Sequence, residues 1–211
     1  VTVLKMIAHS KMAIGIAMRY GWLPGACYKN QRDVKNADQI GFIDIDWKNY
    51  DFNRHFEAVK RFRPLMTVAK DIENFDELDF ILGQARAMAD YCKYIIVVPK
   101  DARLIGKMDL IPRQYILGFS VPTRYGGTEI PTQEFNRPVH LLGGRPDVQR
   151  RLAEYMPVVS IDCNRFTLDA RYGDYFDGER FRPHPVGGYE NCLRDSVINI
   201  NKLWESYQAR W

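Results

Sequence analysis

The sequence predicts an α/β barrel: one domain, residues 1–211, of parallel strands alternating with helices, complete or one strand short. Three observations carry this. Apolar runs and amphipathic stretches alternate regularly from one end of the chain to the other. Several of the runs are rich in β-branched residues and bounded by Gly or Pro, as strands buried on both faces should be. No linker-like, low-complexity or repeated segment divides the chain.

The strand-like runs fall at residues 3–8, 40–46, 65–70, 94–99, 115–120, 138–142 and 158–162. Helical patterns lie between and after them, at residues 12–19, 53–62, 77–91, 147–155 and 190–207. The fourth follows Pro146, which suits a first helical position because its missing N–H would be unpaired there anyway. A repeated strand-then-helix order implies parallel strands joined by right-handed crossovers. Seven strands are legible and an eighth is not, so an open doubly wound sheet is the alternative. The opening run reads as a first strand, because it lacks the charged region and small-residue cleavage site of a signal peptide.

Composition narrows the class of function without naming it. A hydrophobic share of 46% is ample for one core, and no run reaches the ~18–20 apolar residues of a membrane span. The net charge of +4 permits nucleic-acid contact but does not require it. Cys27, Cys92, Cys163 and Cys192 form no closely spaced pair, so neither structural zinc nor a disulfide framework is expected, and a cytoplasmic setting fits. No Walker A or G-x-G-x-x-G motif occurs, so no nucleotide cofactor is expected either.

In a parallel barrel, chemistry gathers at the C-terminal ends of the strands. There the sequence puts His9-Ser10, Asp44 and Asp46, Lys70-Asp71, Pro99-Lys100, Ser120, Gly143-Gly144 and Asp162. A single Asp at a strand end is more often a cap than a catalyst. Asp46, Asp71 and Asp162 together predict a pocket. The pairs Gly126-Gly127 and Gly143-Gly144 fit either a close approach to a ligand or a turn.

One segment carries a family resemblance. Residues 140–173 read HLLGGRPDVQRRLAEYMPVVSIDCNRFTLDARYG. This resembles the tRNA-guanine transglycosylases, whose barrels carry an H/Y-L-M-G-V-G-x-P-like turn, then a helix, a strand ending F-D-C, and a loop P-T-R-x-A-R-x-G. His140-Leu141-Leu142-Gly143 with Pro146, Ile161-Asp162-Cys163 and Ala170-Arg171-Tyr172-Gly173 match these in order. The resemblance implies that Asp162 is a covalent nucleophile and that Asp46, where the family has D-S-G-G-F-Q, is the general acid/base. Asp44 is an alternative for the second role. It further implies base contacts from Asp71 and from Gly118, Phe119 and Ser120, with Gly143 and Gly144 beside them.

The family's C-x-C-x-x-C…H zinc site is missing, so the match is to the short relatives that insert 7-deazaguanine bases into DNA, found in phages and bacterial modification islands. The implied activity exchanges guanine in nucleic acid, DNA before tRNA, for a 7-deazaguanine such as preQ0 or preQ1. Arg145, Arg165 and Arg171 are the expected phosphate contacts. Trp47, Tyr50, Tyr125 and Tyr172 are candidates to stack on an extruded base. Two other readings keep the same barrel: a hydrolase or transferase acting on another base or nucleoside, and a non-catalytic nucleic-acid-binding protein.

Overall fold

A computed structural model describes residues 2–124 and 126–211. Eight parallel strands close into a barrel in chain order. They are β1 (Leu4–Ile7), β2 (Leu23–Cys27), β3 (Phe42–Asp44), β4 (Met66–Val68), β5 (Tyr94–Val97), β6 (Ile116–Ser120), β7 (Val139–Leu142) and β8 (Val158–Asp162). The barrel is therefore complete, and the open sheet is excluded. The strand that sequence patterning missed is β2, Leu-Pro-Gly-Ala-Cys. It has no β-branched or aromatic residue and carries the two residue types most depleted in strands. Its neighbours hold it in place, with Met6 paired to Leu23 and Gly25 to Phe42. Gly25 keeps that approach close: a Cβ would lie 3.2 Å from the Phe42 ring, tighter than ordinary packing.

The helices are α1 (Lys11–Met18), α2 (Phe52–Phe62), α3 (Leu78–Met88), α4 (Pro146–Leu152), α5 (Arg165–Ala170) and α6 (Tyr189–Trp204). Ser10 caps α1 and Asp51 caps α2, each side chain accepting a backbone N–H of the first turn. After β5 and β6 the crossovers are short 3₁₀ turns rather than full helices. The short α5 and an antiparallel hairpin, β9 (Asp174–Phe176) with β10 (Phe181–Pro183), precede α6. Neither was legible, since six and three residues are too few to display a period.

Inward-facing side chains alternate along each strand. At mid-barrel, His140 of β7 stacks on Phe42 of β3 (centroids 5.3 Å apart), and its Nδ1 lies 2.8 Å from Ser160 Oγ of β8. Two residues further along these strands come Leu142, Asp44 and Asp162. The same pleat that fixes the middle layer thus aims these three at the mouth. The seam between the first and last strands pairs Met6 with Asp162 and is fastened beyond it by Ala8 N–H donating to Asn164 Oδ1 at 3.0 Å. Outside the seam, α6 packs on α1 and α5. Trp22 Nε1–H donates to Asn201 Oδ1, and Asn201 Nδ2–H donates to the Tyr20 carbonyl, both at 2.9 Å.

Candidate functional site

A cavity of about 410 Å³ opens at the C-terminal mouth. It is lined by Asp44, Trp47, Asp71, Glu73, Lys100, Ser120, Gly143, Gly144 and Asp162, with parts of the β6–β7 connection. Four carboxyl groups and one ammonium thus face one small volume, where reduced exposure to water strengthens charge interactions.

Asp162 closes β8 and is 6% exposed. Gly143 N–H donates to its Oδ1 at 2.9 Å. His140 Nε2, buried and without a hydrogen-bond partner among the described residues, lies 3.5 Å from the same oxygen. Buried Gln149 of α4 uses its Nε2 group twice, donating to the Gly143 carbonyl and to the Asp162 carbonyl, each at 2.8 Å. The ends of β7 and β8 are locked together by that one amide. Gly143 (φ 62°) and Gly144 (φ 86°) make the turn from β7 into α4 in a conformation that L side chains rarely adopt. A Cβ on Gly144 would also stand 2.4 Å from Val121 Cγ1.

Asp44 closes β3, and its Oδ1 accepts one bond, from Ile45 N–H at 2.8 Å. Burial first, then the negative charge of Asp162, push its carboxyl up to about 8. Asp44 therefore holds a proton at neutral pH. Asp71 is 8% exposed; burial raises its proton affinity, while Lys100, whose Nζ is 2.6 Å from its Oδ2, opposes that rise.

Several expectations need correction. Asp46 does not line the cavity. β3 stops at Asp44, and the chain turns, so that Asp46 accepts from Lys48 N–H (3.1 Å) and pairs with Lys29. The Lys29 bond holds its carboxyl below the usual range. A seven-residue strand would have aimed both acids at the mouth; a three-residue strand aims only the first. Gly118 is a packing residue rather than a base contact, because a Cβ there would meet Val98 Cγ2 at 2.6 Å and Ile96 Cγ2 at 2.9 Å. Phe119 points away from the cavity and packs edge-on against Phe135. Ser120, Asp71, Gly143, Gly144 and Asp162 do line the cavity.

Of the arginines, Arg145 pairs with Asp147 (2.9 Å) and Arg165 with Asp169 (2.7 Å). Both guanidinium groups also lie over the Phe181 ring of β10, at 5.4 and 5.9 Å. Arg171, the C-cap of α5, is exposed. Among the aromatics, Trp47 is 56% exposed at the cavity rim, and Tyr172 is 79% exposed. The Tyr50 hydroxyl lies 3.1 Å from His55 Nδ1 and belongs to the packing of α2. Tyr125 lies outside the described residues. Among the described residues, no three His, Cys, Asp or Glu side chains converge as metal ligands would. No helix among the described residues is long and apolar enough to cross a membrane.

The sequence is matched by a family model over residues 17–205, from within α1 to the end of α6. The chain belongs to the family of unknown function DUF6610. No curated protein is significantly similar in sequence. Among solved structures, the chain is similar to the X-ray crystal structure of the YdjI aldolase from Escherichia coli K12. The TM-score is 0.59 over 97% of this chain and 92% of that one, at 10% identity. So distant a likeness speaks for the barrel alone. For this DUF6610 chain, chemistry must be argued from its own residues.

Proposed function

We propose that the protein is a glycosyltransferase of the guanine-transglycosylase type, exchanging guanine in DNA for a 7-deazaguanine base through a covalent link between Asp162 and the sugar. The observation that carries this reading is the pairing of two unlike carboxyls in one cavity. Asp162 is tethered by a backbone N–H, and Asp44, beside it, retains its proton to about 8. A proton-retaining acid beside a second, tethered carboxyl is what nucleophile-plus-acid chemistry at a glycosidic carbon requires.

An Asp162 oxygen attacks C1′ of the target nucleotide, and the bond from C1′ to the base nitrogen breaks. The departing guanine takes that electron pair and a proton from Asp44. The incoming base returns its ring N–H proton to Asp44 and attacks C1′, expelling Asp162 and leaving the strand intact. Asp71 accepts from the N–H groups on the edge of the base, and Trp47 offers a face on which a neighbouring base can stack. Arg171, with Arg145 and Arg165 above Phe181, supplies positive charge beside the nucleophile loop for the phosphates. Asp44, not Asp46, takes the acid/base role in this scheme.

The test is incorporation of radiolabelled guanine, or of a labelled 7-deazaguanine, into duplex DNA and into tRNA. Label retained in acid-insoluble DNA is the expected result. Incorporation only into tRNA would change the substrate, and none into either would overturn the reading.

A further inference from the structure

We infer that Lys100 is a specificity-determining residue, donating a hydrogen bond to the oxygen at position 6 of the purine-type base held in the mouth cavity; this rests on the transglycosylase reading. Lys100 is the one cation among the described residues that line the cavity. Its counterpart after β4, Lys70, is turned to Glu77 at 2.8 Å and does not line it. Lys100 is fixed at both ends. Its backbone N–H donates to the Ile72 carbonyl at 3.0 Å, next to the bridge that pairs Ile72 with Pro99. Its Nζ stands 2.6 Å from Asp71 Oδ2, with both side chains largely covered (21% and 11% exposed).

The pair presents a donor directly beside an acceptor. An ammonium has three N–H groups and the carboxylate only occupies one of them, while the carboxylate itself accepts several bonds. A guanine edge presents the complementary order, an oxygen acceptor at position 6 beside an N–H donor at position 1. Once the base sits against Asp71, its 6-oxygen falls next to Nζ, and the ion pair gains a ligand bond on each side without breaking. A 7-deazaguanine keeps this edge unchanged, so one pair of residues serves both the leaving and the entering base.

The experiment measures binding of guanine and 6-thioguanine by calorimetry to the wild-type protein, Lys100→Met, Lys100→Gln and Lys100→Arg, with thermal melts to confirm folding. The two bases share every donor on that edge and differ in the acceptor, since sulfur accepts weakly. Wild type should prefer guanine by about 10-fold or more, the scale of a charge-assisted bond. In Lys100→Met that preference should fall to roughly twofold or less, with Lys100→Gln in between and Lys100→Arg near wild type. Equal weakening of both bases in Lys100→Met would mean that Lys100 only neutralises Asp71, and would overturn the inference while leaving the transglycosylase reading intact. An unchanged preference would overturn it likewise. If wild type binds neither base, the transglycosylase reading itself fails and the inference falls with it.

Discussion

Two of the sectors that bring acids to the barrel mouth, β7–β8 and β2–β3, are built in opposite ways. In the first, strands of four and five residues are joined at their ends by Gln149, and a glycine turn follows β7. Its acid is given a fixed donor. In the second, β3 has three residues, its neighbour β2 contains Pro24 and Gly25, and the acid at its end accepts one N–H from the next residue. There the cost of burial is met by a bound proton instead of by partners. The difference teaches that one cavity can hold a tethered carboxyl and a proton-retaining one when the backbone supports them unequally.

Removing the tethered carboxyl should break this comparison most severely. Asp162→Asn keeps an oxygen for the Gly143 N–H and should fold normally, yet lose base exchange by at least about 10⁴-fold and form no protein–DNA adduct on denaturing gels. Full activity in that variant would end the mechanism.

Next in size is the proton-retaining acid. Asp44→Asn should cost about 10²–10⁴-fold, with adduct still detectable. Wild-type exchange should decline as pH rises through about 8, where Asp44 loses its proton, and the variant should lack that limb. The linkage to stability has a definite sign. A carboxyl raised from 3.8 to about 8 binds its proton more tightly when folded, so stability is greatest at low pH and is lost as pH climbs across that window. Asp44→Asn should therefore melt higher than wild type at pH 8, with the gap closing toward pH 4.

A third experiment concerns phosphate contact on the β8 side. DNA binding should weaken steeply with salt, and Arg171→Ala should reduce the logarithmic slope by about one. Arg165→Ala should do less, because Asp169 already holds that guanidinium. The glycine turn can be probed by Gly144→Ala, which should destabilise by about 1–3 kcal/mol in a denaturant melt, from the positive φ and the contact with Val121. The smallest effect is expected two residues beyond Asp44. Asp46→Asn should change exchange by less than about threefold, as for a surface ion pair.

What the sequence disclosed follows the same division. The β7–β8 sector was legible because Val158 to Asp162 is an unbroken strand ending in an acid that lines the cavity, and Pro146 marks the helix start. The β2–β3 sector was not. Leu-Pro-Gly-Ala-Cys has no strand signal, and nothing local reveals that β3 stops at Asp44 instead of running on to Asp46. Lys100 was visible as a strand-end residue but not as a partner of Asp71, since their pairing depends on the bridge between Ile72 and Pro99. Gly118 gave a misleading signal: its absent side chain makes room for Val98 and Ile96 inside the barrel, not for a ligand.

The seam has a consequence for how the molecule comes into being. Ala8 meets Asn164 across 156 positions, and Trp22 and Tyr20 meet Asn201 across 179 and 181. Contacts so distant in the chain carry a loop-closure cost that local contacts escape, and are expected to form after them. Because β8 ends in Asp162, the proposed nucleophile, and pairs with β1, the step that shuts the barrel also sets that acid in the mouth cavity. Under the proposed mechanism, a chain with β8 not yet docked would hold no complete reactive centre, so chemistry and barrel closure would arrive together.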